Sequence, residues 1–404
     1  MPRVSDTRVV AYEPLLSPAA LLDELPLSDA MAAGVERSRI EVRAVLDGAD
    51  DRLLMVAGPC SVHDPVPALD YAGRLAGLRD RFAGELLVVM RVYFEKPRTV
   101  TGWKGLINDP RMDGSHDVHL GLRLARRLLL DLVGLGLPVG CEWLDPITPQ
   151  FLADAVTWGA IGARTTESQV HRQMASGMSM PVGFKNGTDG DIQVAVDACR
   201  AAEAAHTFFG VTHAGAAAVV TTAGNPDTHV ILRGGRSGPN YQAEYVSKAL
   251  DLIGGAGLPR RVMVDASHGN SGKDYRRQVT VAGALADQVA DGQRGLTGVM
   301  LESFLRDGRQ EPGELARLVY GRSVTDACLD FDATAAVLDL LAAAVRRRRR
   351  PQPCCAAGIT ALCRKSQRDK EKPVPPFPFL PFRNRRWPVP GSSRRPARGG
   401  YAQG

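Results

Sequence analysis

The sequence predicts an α/β fold, namely a (β/α)8 TIM barrel with an N-terminal extension, a β-hairpin inserted before strand 6 and a disordered C-terminal tail. Eight short β-rich runs alternate with longer helical segments over about 250 residues, the usual size of such a barrel. The runs are apolar without alternation, as parallel strands covered on both faces are. A doubly wound open sheet is the competing architecture, but no G-x-G-x-x-G or Walker A motif favours it.

The predicted elements follow one another regularly along the chain. Residues 1–45 form an N-terminal arm, whose helix "SDAMAAGVERSRIEVRAVL" begins at Ser28, an N-cap residue. Residues 46–345 form the barrel, and segment 206–224 is predicted to be the inserted hairpin. The eight strands are expected within residues 53–60, 86–94, 137–144, 160–165, 181–187, 229–235, 261–268 and 296–303.

Residues 346–404 differ sharply from the rest in composition. They hold 16 Lys/Arg, 2 Asp/Glu and 10 of the 27 prolines, so they are predicted to be a basic, Pro/Arg-rich disordered tail. Subtraction from the totals of 50 basic and 44 acidic residues leaves 34 and 42 in residues 1–345, a net charge of −8. An acidic body argues against a nucleic-acid-binding domain.

The rest of the composition indicates an intracellular protein. No apolar run reaches the ~18 residues that span a bilayer, and "MPRVSDTRVV" lacks the apolar core of a secretory signal. The seven cysteines form neither a CxxC zinc pair nor a disulfide framework. We therefore expect a cytoplasmic location, reduced thiols, and no membrane or nucleic-acid partner.

Polar or ionisable residues come at the carboxyl end of every predicted strand. Parallel barrels carry their active sites at this end, and a barrel interior rejects unpaired polar groups. Eight such residues at the same end are difficult to explain by packing. They are Cys60, Arg91, Glu142, Arg164, Lys185, Arg233, His268 and Glu302.

The cations of this group indicate anionic ligands. Arginine suits the geometry of phosphate and carboxylate, so two phosphorylated substrates, or one ligand with both groups, would account for them. Simple pairing with Glu95, Glu142 and Asp145 is the alternative. The cations are Arg91, Arg164, Lys185 and Arg233, with Lys96 and Arg98 just beyond the second strand.

Cys60, His268, Glu302 and Asp326 form a second candidate group. A thiolate, an imidazole and two carboxylates suit one divalent transition metal, Mn, Fe, Co or Zn, better than Ca or Mg. No ligand-spaced motif requires a metal, however, and a free cysteine is commonly a buried apolar thiol. The residues alone leave both interpretations open.

Seven motifs, taken together and in order, resemble the class I 3-deoxy-D-arabino-heptulosonate 7-phosphate (DAHP) synthases of the feedback-regulated bacterial and fungal type. The resemblance covers about residues 15–345, whereas the tail matches nothing in that family. The motifs are "GPCSVHDP", "MRVYFEKPRTVTGWKGLINDP", "GAIGARTTESQVHR", "PVGFKNGTDG", "HVILRGG", "DASHGNSGK" and "GVMLESFL".

The resemblance implies condensation of phosphoenolpyruvate with D-erythrose 4-phosphate and water, the first step of the shikimate pathway, in a homodimer or homotetramer. It places Cys60, His268, Glu302 and Asp326 on the metal ligands. Lys96, Glu142 and Lys185 are implied to be catalytic, with Lys185 also a substrate contact. The other implied substrate contacts are Arg91, Arg98, Thr99, Ala163, Arg164 and Arg233.

The resemblance also implies feedback inhibition by an aromatic amino acid. In the family, Ser at position 210 of this chain tends to accompany phenylalanine and Gly tends to accompany tyrosine, so Gly210 favours tyrosine. The implied effector contacts are Pro149, Gln150, Met174, Gly177, Ser179, Phe208, Gly210 and Val220. Ordinary core and dimer packing is the alternative for these residues.

Two other functions remain as alternatives. A 3-deoxy-octulosonate 8-phosphate synthase would use a five-carbon aldose phosphate, but the "KPRT" loop, the N-terminal arm and the hairpin favour a four-carbon substrate. A non-catalytic barrel with a nucleic-acid-binding tail would have no need for ionisable residues at all eight strand ends.

Overall fold

Eight parallel strands close into a barrel in the computed structural model, which describes residues 4–350. They are β1 (Leu53–Gly58), β2 (Leu86–Arg91), β3 (Val139–Glu142), β4 (Trp158–Ile161), β5 (Val182–Lys185), β8 (Thr228–Leu232), β9 (Val262–Asp265) and β10 (Leu296–Glu302). Around the barrel the order is β1-β10-β9-β8-β5-β4-β3-β2, so β1 pairs with β10 to close it. The predicted fold class is confirmed.

Helices precede the barrel and connect its strands. Ser28 is the N-cap of the second helix, as predicted, because its hydroxyl accepts a hydrogen bond from the Met31 N–H. The helices are α1 (Pro18–Glu24), α2 (Asp29–Leu46), α3 (Pro65–Arg81), α4 (Val118–Gly134), α5 (Pro149–Leu152), α6 (Gln169–Ser176), α7 (Gln193–Glu203), α8 (Ala243–Gly255), α9 (Arg277–Ala290) and α10 (Phe331–Arg349).

The inserted hairpin consists of β6 (Thr207–Val211) and β7 (Ala217–Thr221), which pair antiparallel between α7 and β8. Its position in the chain is the predicted one. Phe209 and Val219 lie opposite each other and are 93% and 69% exposed, so this face of the hairpin is apolar and open.

The barrel interior is a separate apolar cluster inside the ring of strands. Tyr93, Trp158, Met263 and Met300 belong to it, and α2 adds Val42, Val45 and Leu46. Because the interior is packed with apolar side chains, ionisable groups concentrate where the strands end.

The last helix, α10, extends beyond residue 345, where the change in composition predicts that the barrel ends. It continues to Arg349, whose guanidinium pairs with Asp51 at 2.5 Å, while Arg346 pairs with Glu85 at 3.4 Å. Four arginines assigned to the tail by composition are therefore helical. The disorder predicted from Pro351 onward lies outside the described residues. Within residues 4–350, no helix is long and apolar enough to cross a membrane.

Candidate active site

A cavity of about 560 Å³ lies where the barrel strands end. Cys60 and Glu302 are fully buried and do not line the cavity, but each contacts residues that line it. Thr99 is exposed and also lies outside the cavity lining. Ten residues that the sequence singled out line it, namely Arg91, Lys96, Arg98, Glu142, Ala163, Arg164, Lys185, Arg233, His268 and Asp326.

The strand ends explain how distant parts of the chain meet here. Arg91, Glu142, Lys185 and Glu302 are the last residues of β2, β3, β5 and β10. Carboxyl ends of parallel strands share one edge, so these four side chains are brought together by the barrel alone. The remaining groups follow their strands within a few residues.

Three of the four predicted metal ligands form a tight group. The ligand atoms of Cys60, Glu302 and Asp326 all lie within 4.8 Å of one another. His268 is at the edge of this group, with its Nε2 3.7 Å from Glu302 Oε1. Sulfur, nitrogen and carboxylate donors fit a divalent transition metal.

Charges around this group perturb its ionisation. Burial and the neighbouring Glu302 raise the pKa of the Cys60 thiol to about 11. Burial opposes ionisation of Glu302, but His268, Arg91 and Lys96 together lower its pKa to about 2. The Lys96 ammonium donates to Cys60 Sγ at 3.0 Å. Burial disfavours its charge, yet the acidic groups around it, Cys60 first, raise the pKa of Lys96 above its ordinary value.

Arg91 connects the metal-ligand group to the cavity. Its Nη2 donates to Glu302 Oε1 at 3.0 Å and to the Cys60 carbonyl at 3.1 Å. Its Nε donates to the Pro59 carbonyl, and Nη1 donates to Met300 Sδ. A guanidinium has five N–H donors, so these four bonds leave one Nη1 hydrogen for a ligand in the cavity.

Asp265, the last residue of β9, was not among the predicted site residues. Its carboxylate is fully buried and accepts from Lys185 Nζ at 2.8 Å, and His268 Nδ1 lies 2.9 Å away. Burial opposes its charge, but Lys185 and His268 hold the pKa of Asp265 well below its ordinary value. The charge at the end of the apolar run "RVMVD" was the available signal.

The Glu142 carboxylate stands in the cavity close to the β4–α6 connection. A Cβ added to Gly162 would come within 2.2 Å of Glu142 Oε1, so a larger residue at position 162 would push this carboxylate out of its present position. No side-chain hydrogen bond to Glu142 is made within residues 4–350, which leaves its oxygens available to a ligand or water.

A second cavity, of about 510 Å³, lies against the N-terminal helices. Four predicted effector contacts line it, namely Pro149, Gln150, Gly177 and Ser179. Phe208, Gly210 and Val220 are half-buried on the hairpin outside this lining, and Met174 is in the main core. The hairpin reaches the cavity through His213 instead.

Comparison with known proteins identifies the family. A model described as the DAHP synthetase I family matches residues 30–339. The chain belongs to the DAHP synthetase I family. The resemblance inferred from the seven motifs is thereby confirmed.

Members of the DAHP synthetase I family resemble this chain over nearly their whole length. A phospho-2-dehydro-3-deoxyheptonate aldolase of Corynebacterium glutamicum is 56% identical over 85% of this chain and 94% of its own. The Phe-sensitive enzyme of Escherichia coli K12 is 53% identical over 84% of this chain and 97% of its own. The solved structure of the Francisella tularensis enzyme has a TM-score of 0.83 and 47% identity, covering 85% of this chain and 100% of its own. Other relatives are named Tyr-sensitive and Trp-sensitive.

Proposed function

We propose that this protein is a DAHP synthase, which condenses phosphoenolpyruvate with D-erythrose 4-phosphate and water to give DAHP and inorganic phosphate. This reaction is the first step of the shikimate pathway, toward chorismate and the aromatic amino acids. Family membership supports the assignment. The observation that carries it is a single cavity in which the six cations named from the sequence adjoin a group of thiol and carboxylate ligands.

Phosphoenolpyruvate would bind through four of these cations. Arg164 and Arg233 are the proposed phosphate contacts, and the Ala163 backbone lies beside them in the cavity lining. Arg91 and Lys185 are the proposed carboxylate contacts. Because Arg91 has one free N–H and Lys185 is held by Asp265, these two groups would offer the carboxylate fixed, preorganised donors.

Erythrose 4-phosphate would bind on the side of the β2 loop. Arg98 and Thr99 are the proposed phosphate contacts, and the Arg164 guanidinium donates to the Pro97 carbonyl, which ties this loop to the phosphoenolpyruvate side. Cys60, His268, Glu302 and Asp326 would hold one divalent metal, which when bound supplies a Lewis acid for an aldehyde oxygen.

Lys96 and Glu142 are proposed to handle protons. As C3 of phosphoenolpyruvate bonds to the aldehyde carbon, Lys96 would protonate the new alkoxide. Its raised pKa keeps the donor protonated at neutral pH. C2 then takes up a water molecule, for which the free Glu142 oxygens are the candidate base, and cleavage of the C2–O bond releases phosphate.

The test measures phosphate release from phosphoenolpyruvate with four- and five-carbon aldose phosphates, with and without a chelator. We expect turnover with erythrose 4-phosphate, its loss on chelation and its recovery with Mn²⁺ or Co²⁺. Preference for the five-carbon sugar would favour the octulosonate reaction. The binding-protein alternative would be favoured by two results together. The chain would turn over neither sugar, and the full-length chain, but not a tail-deleted one, would retain nucleic acid on filters.

We further propose feedback inhibition by an aromatic amino acid in the second cavity. Pro149, Gln150, Gly177 and Ser179 would contact it, and Phe208, Gly210, Val220 and Met174 would shape the site from the hairpin and the core. Relatives are named for phenylalanine, tyrosine and tryptophan sensitivity. Gly210 favours tyrosine, because the missing hydroxymethyl group leaves room for the phenol oxygen.

The remaining expectations stay predictions. They are the cytoplasmic location, the homodimer or homotetramer, and the division into an arm (1–45), a catalytic barrel (46–345) and a tail (346–404). The exposed Phe209 and Val219 face of the hairpin supports an oligomer.

A further inference from the structure

The face of the Arg91 guanidinium is covered by an aromatic ring. Arg91 Cζ lies 3.7 Å from the centroid of the Tyr93 ring, and both side chains are almost fully buried. Arg91 is the last residue of β2, and Tyr93 follows it two positions later in the chain. A buried cation over an aromatic face is a cation–π contact in its strongest setting, because water does not compete for the cation.

The contact completes the immobilisation of Arg91. Its four hydrogen bonds, to Pro59, Cys60, Met300 and Glu302, lie along the N–H directions and so fix the edges of the guanidinium plane. Bonds along the edge resist tilting of the plane only as far as each one can bend. The Tyr93 ring packs directly on the face and resists tilting there, so it helps to fix the direction of the remaining Nη1 hydrogen.

The phenol oxygen of Tyr93 does not take part in this contact. It is buried and makes no hydrogen bond within residues 4–350. Burial raises the pKa of Tyr93 well above its ordinary value, so the ring stays neutral. The ring, rather than the hydroxyl, is the part of Tyr93 that acts on Arg91.

We propose that Tyr93 is a positioning residue that orients Arg91 toward both the phosphoenolpyruvate carboxylate and the metal-ligand group. The carboxylate part rests on the proposed function. The metal part rests only on the bonds from Arg91 to Glu302 and to the Cys60 carbonyl. Loss of the ring would therefore disturb two subsites together, whereas loss of the hydroxyl would disturb neither.

The experiment compares Tyr93→Phe, Tyr93→Leu and Tyr71→Leu with the wild-type chain. Tyr71 is the matched control because it is equally buried, lies in α3 and packs on Phe304 and Phe331 rather than on Arg91. Three quantities are measured, namely KM for each substrate, the dissociation constant of Co²⁺ followed by its thiolate charge-transfer absorption, and Tm.

We expect Tyr93→Leu to raise KM for phosphoenolpyruvate and the Co²⁺ dissociation constant by about tenfold or more. KM for erythrose 4-phosphate should change by less than about twofold, and Tyr93→Phe should match the wild type. Tyr71→Leu should lower Tm and leave both binding quantities unchanged. If Tyr93→Leu does not fold, Tyr93→Met, which fills more of the space, takes its place under the same criteria.

Two results would overturn the proposal. One is a Tyr93→Leu protein that loses only Tm, as Tyr71→Leu does, because its role is then packing. The other is a Tyr93→Phe protein as impaired as Tyr93→Leu, because the hydroxyl is then the active part. A wild-type chain without condensation activity would refute the proposed function, and the Co²⁺ comparison would still test Tyr93.

Discussion

At the scale of single residues, Asp265 is a fully buried carboxylate that contacts both parts of the site. It holds Lys185, a proposed substrate contact, and adjoins His268, a proposed metal ligand. Carboxylates behind a ligand histidine fix its ring and raise its basicity. One side chain thus supports both halves of the cavity.

Replacing Asp265 by Asn should weaken metal binding by about 10- to 100-fold, because the neutral amide no longer orients His268. It should also raise KM for phosphoenolpyruvate through Lys185. Metal titration and steady-state kinetics measure these effects. Asp154→Asn, which breaks a half-buried pair with Arg126 away from the cavity, is the control and should lower only Tm. Unchanged metal affinity in Asp265→Asn would contradict this role.

Gly210 permits a test of effector choice at one position. Gly210→Ser should shift inhibition from tyrosine toward phenylalanine, measured as the concentration of each that halves the initial rate. A Cβ at 210 would come within 2.7 Å of Val220 Cγ2, so Gly210→Ser combined with Val220→Ala separates effector contact from crowding. Inhibition of the wild type by phenylalanine but not tyrosine would refute the assignment.

At the scale of elements, the loop after β2 carries Lys96, Arg98 and Thr99 and is held by its own backbone. The Lys96 N–H donates to the Lys104 carbonyl at 2.9 Å, and Glu95 bridges to Gly105. Gly105 has φ +118°, and a Cβ there would meet the Phe94 carbonyl oxygen at 2.0 Å, so only glycine closes this loop.

Glu95, which lies in this loop, makes the stability of the folded chain depend on pH. Burial, followed by the nearby Asp145, raises the pKa of Glu95 to about 7. The folded chain therefore holds this proton more tightly than the unfolded chain, and the free energy of unfolding falls as pH rises from about 5 to 8. Between pH 5 and pH 8, the free energy of unfolding should decrease by about 2–3 kcal/mol less in Glu95→Gln than in the wild type.

Urea unfolding at pH 5 and pH 8 checks this prediction. Glu311→Gln, at an exposed position, is the control and should keep the wild-type pH dependence. An equal pH dependence in Glu95→Gln and the wild type would show that Glu95 does not ionise in this range.

The elements were more predictable than the contacts between them. Apolar runs and a capping residue gave the eight strands, α2 and the hairpin, because these depend on local pattern. The runs extended past the strands, as at β2, which ends at Arg91 rather than at residue 94. Asp265 and Tyr93 were missed because each belongs to a strand-like run of the sequence. Only the folded barrel brings Lys185 to Asp265 and places the Tyr93 ring on Arg91.

At the scale of the whole molecule, α10 continues past the position at which composition places the start of the tail. Arg346 and Arg349 pair with Glu85 and Asp51, and Arg348 donates to the Asp51 carbonyl. A chain cut after Arg350 keeps these contacts, whereas a chain cut after Val345 loses them along with the last helical turn.

We expect the cut after Arg350 to preserve both turnover and Tm. The cut after Val345 should preserve turnover and lower Tm by about 2–4 °C, since partly exposed pairs contribute little each. Phosphate-release assays and thermal melts of both chains test this. A large loss of turnover or Tm in the longer chain would mean that residues 351–404 contribute to the barrel.

The pairing of β1 with β10 also governs how the chain can fold. Leu54 is paired with Gly298, and α2 belongs to the same interior cluster as Met300, so early residues depend on partners that are synthesised some 250 residues later. Until β10 has left the ribosome, β1 presents an unpaired edge and the barrel interior stays open to water. We therefore expect the incomplete chain to be more prone to aggregation than the finished barrel, in which β10 covers this edge.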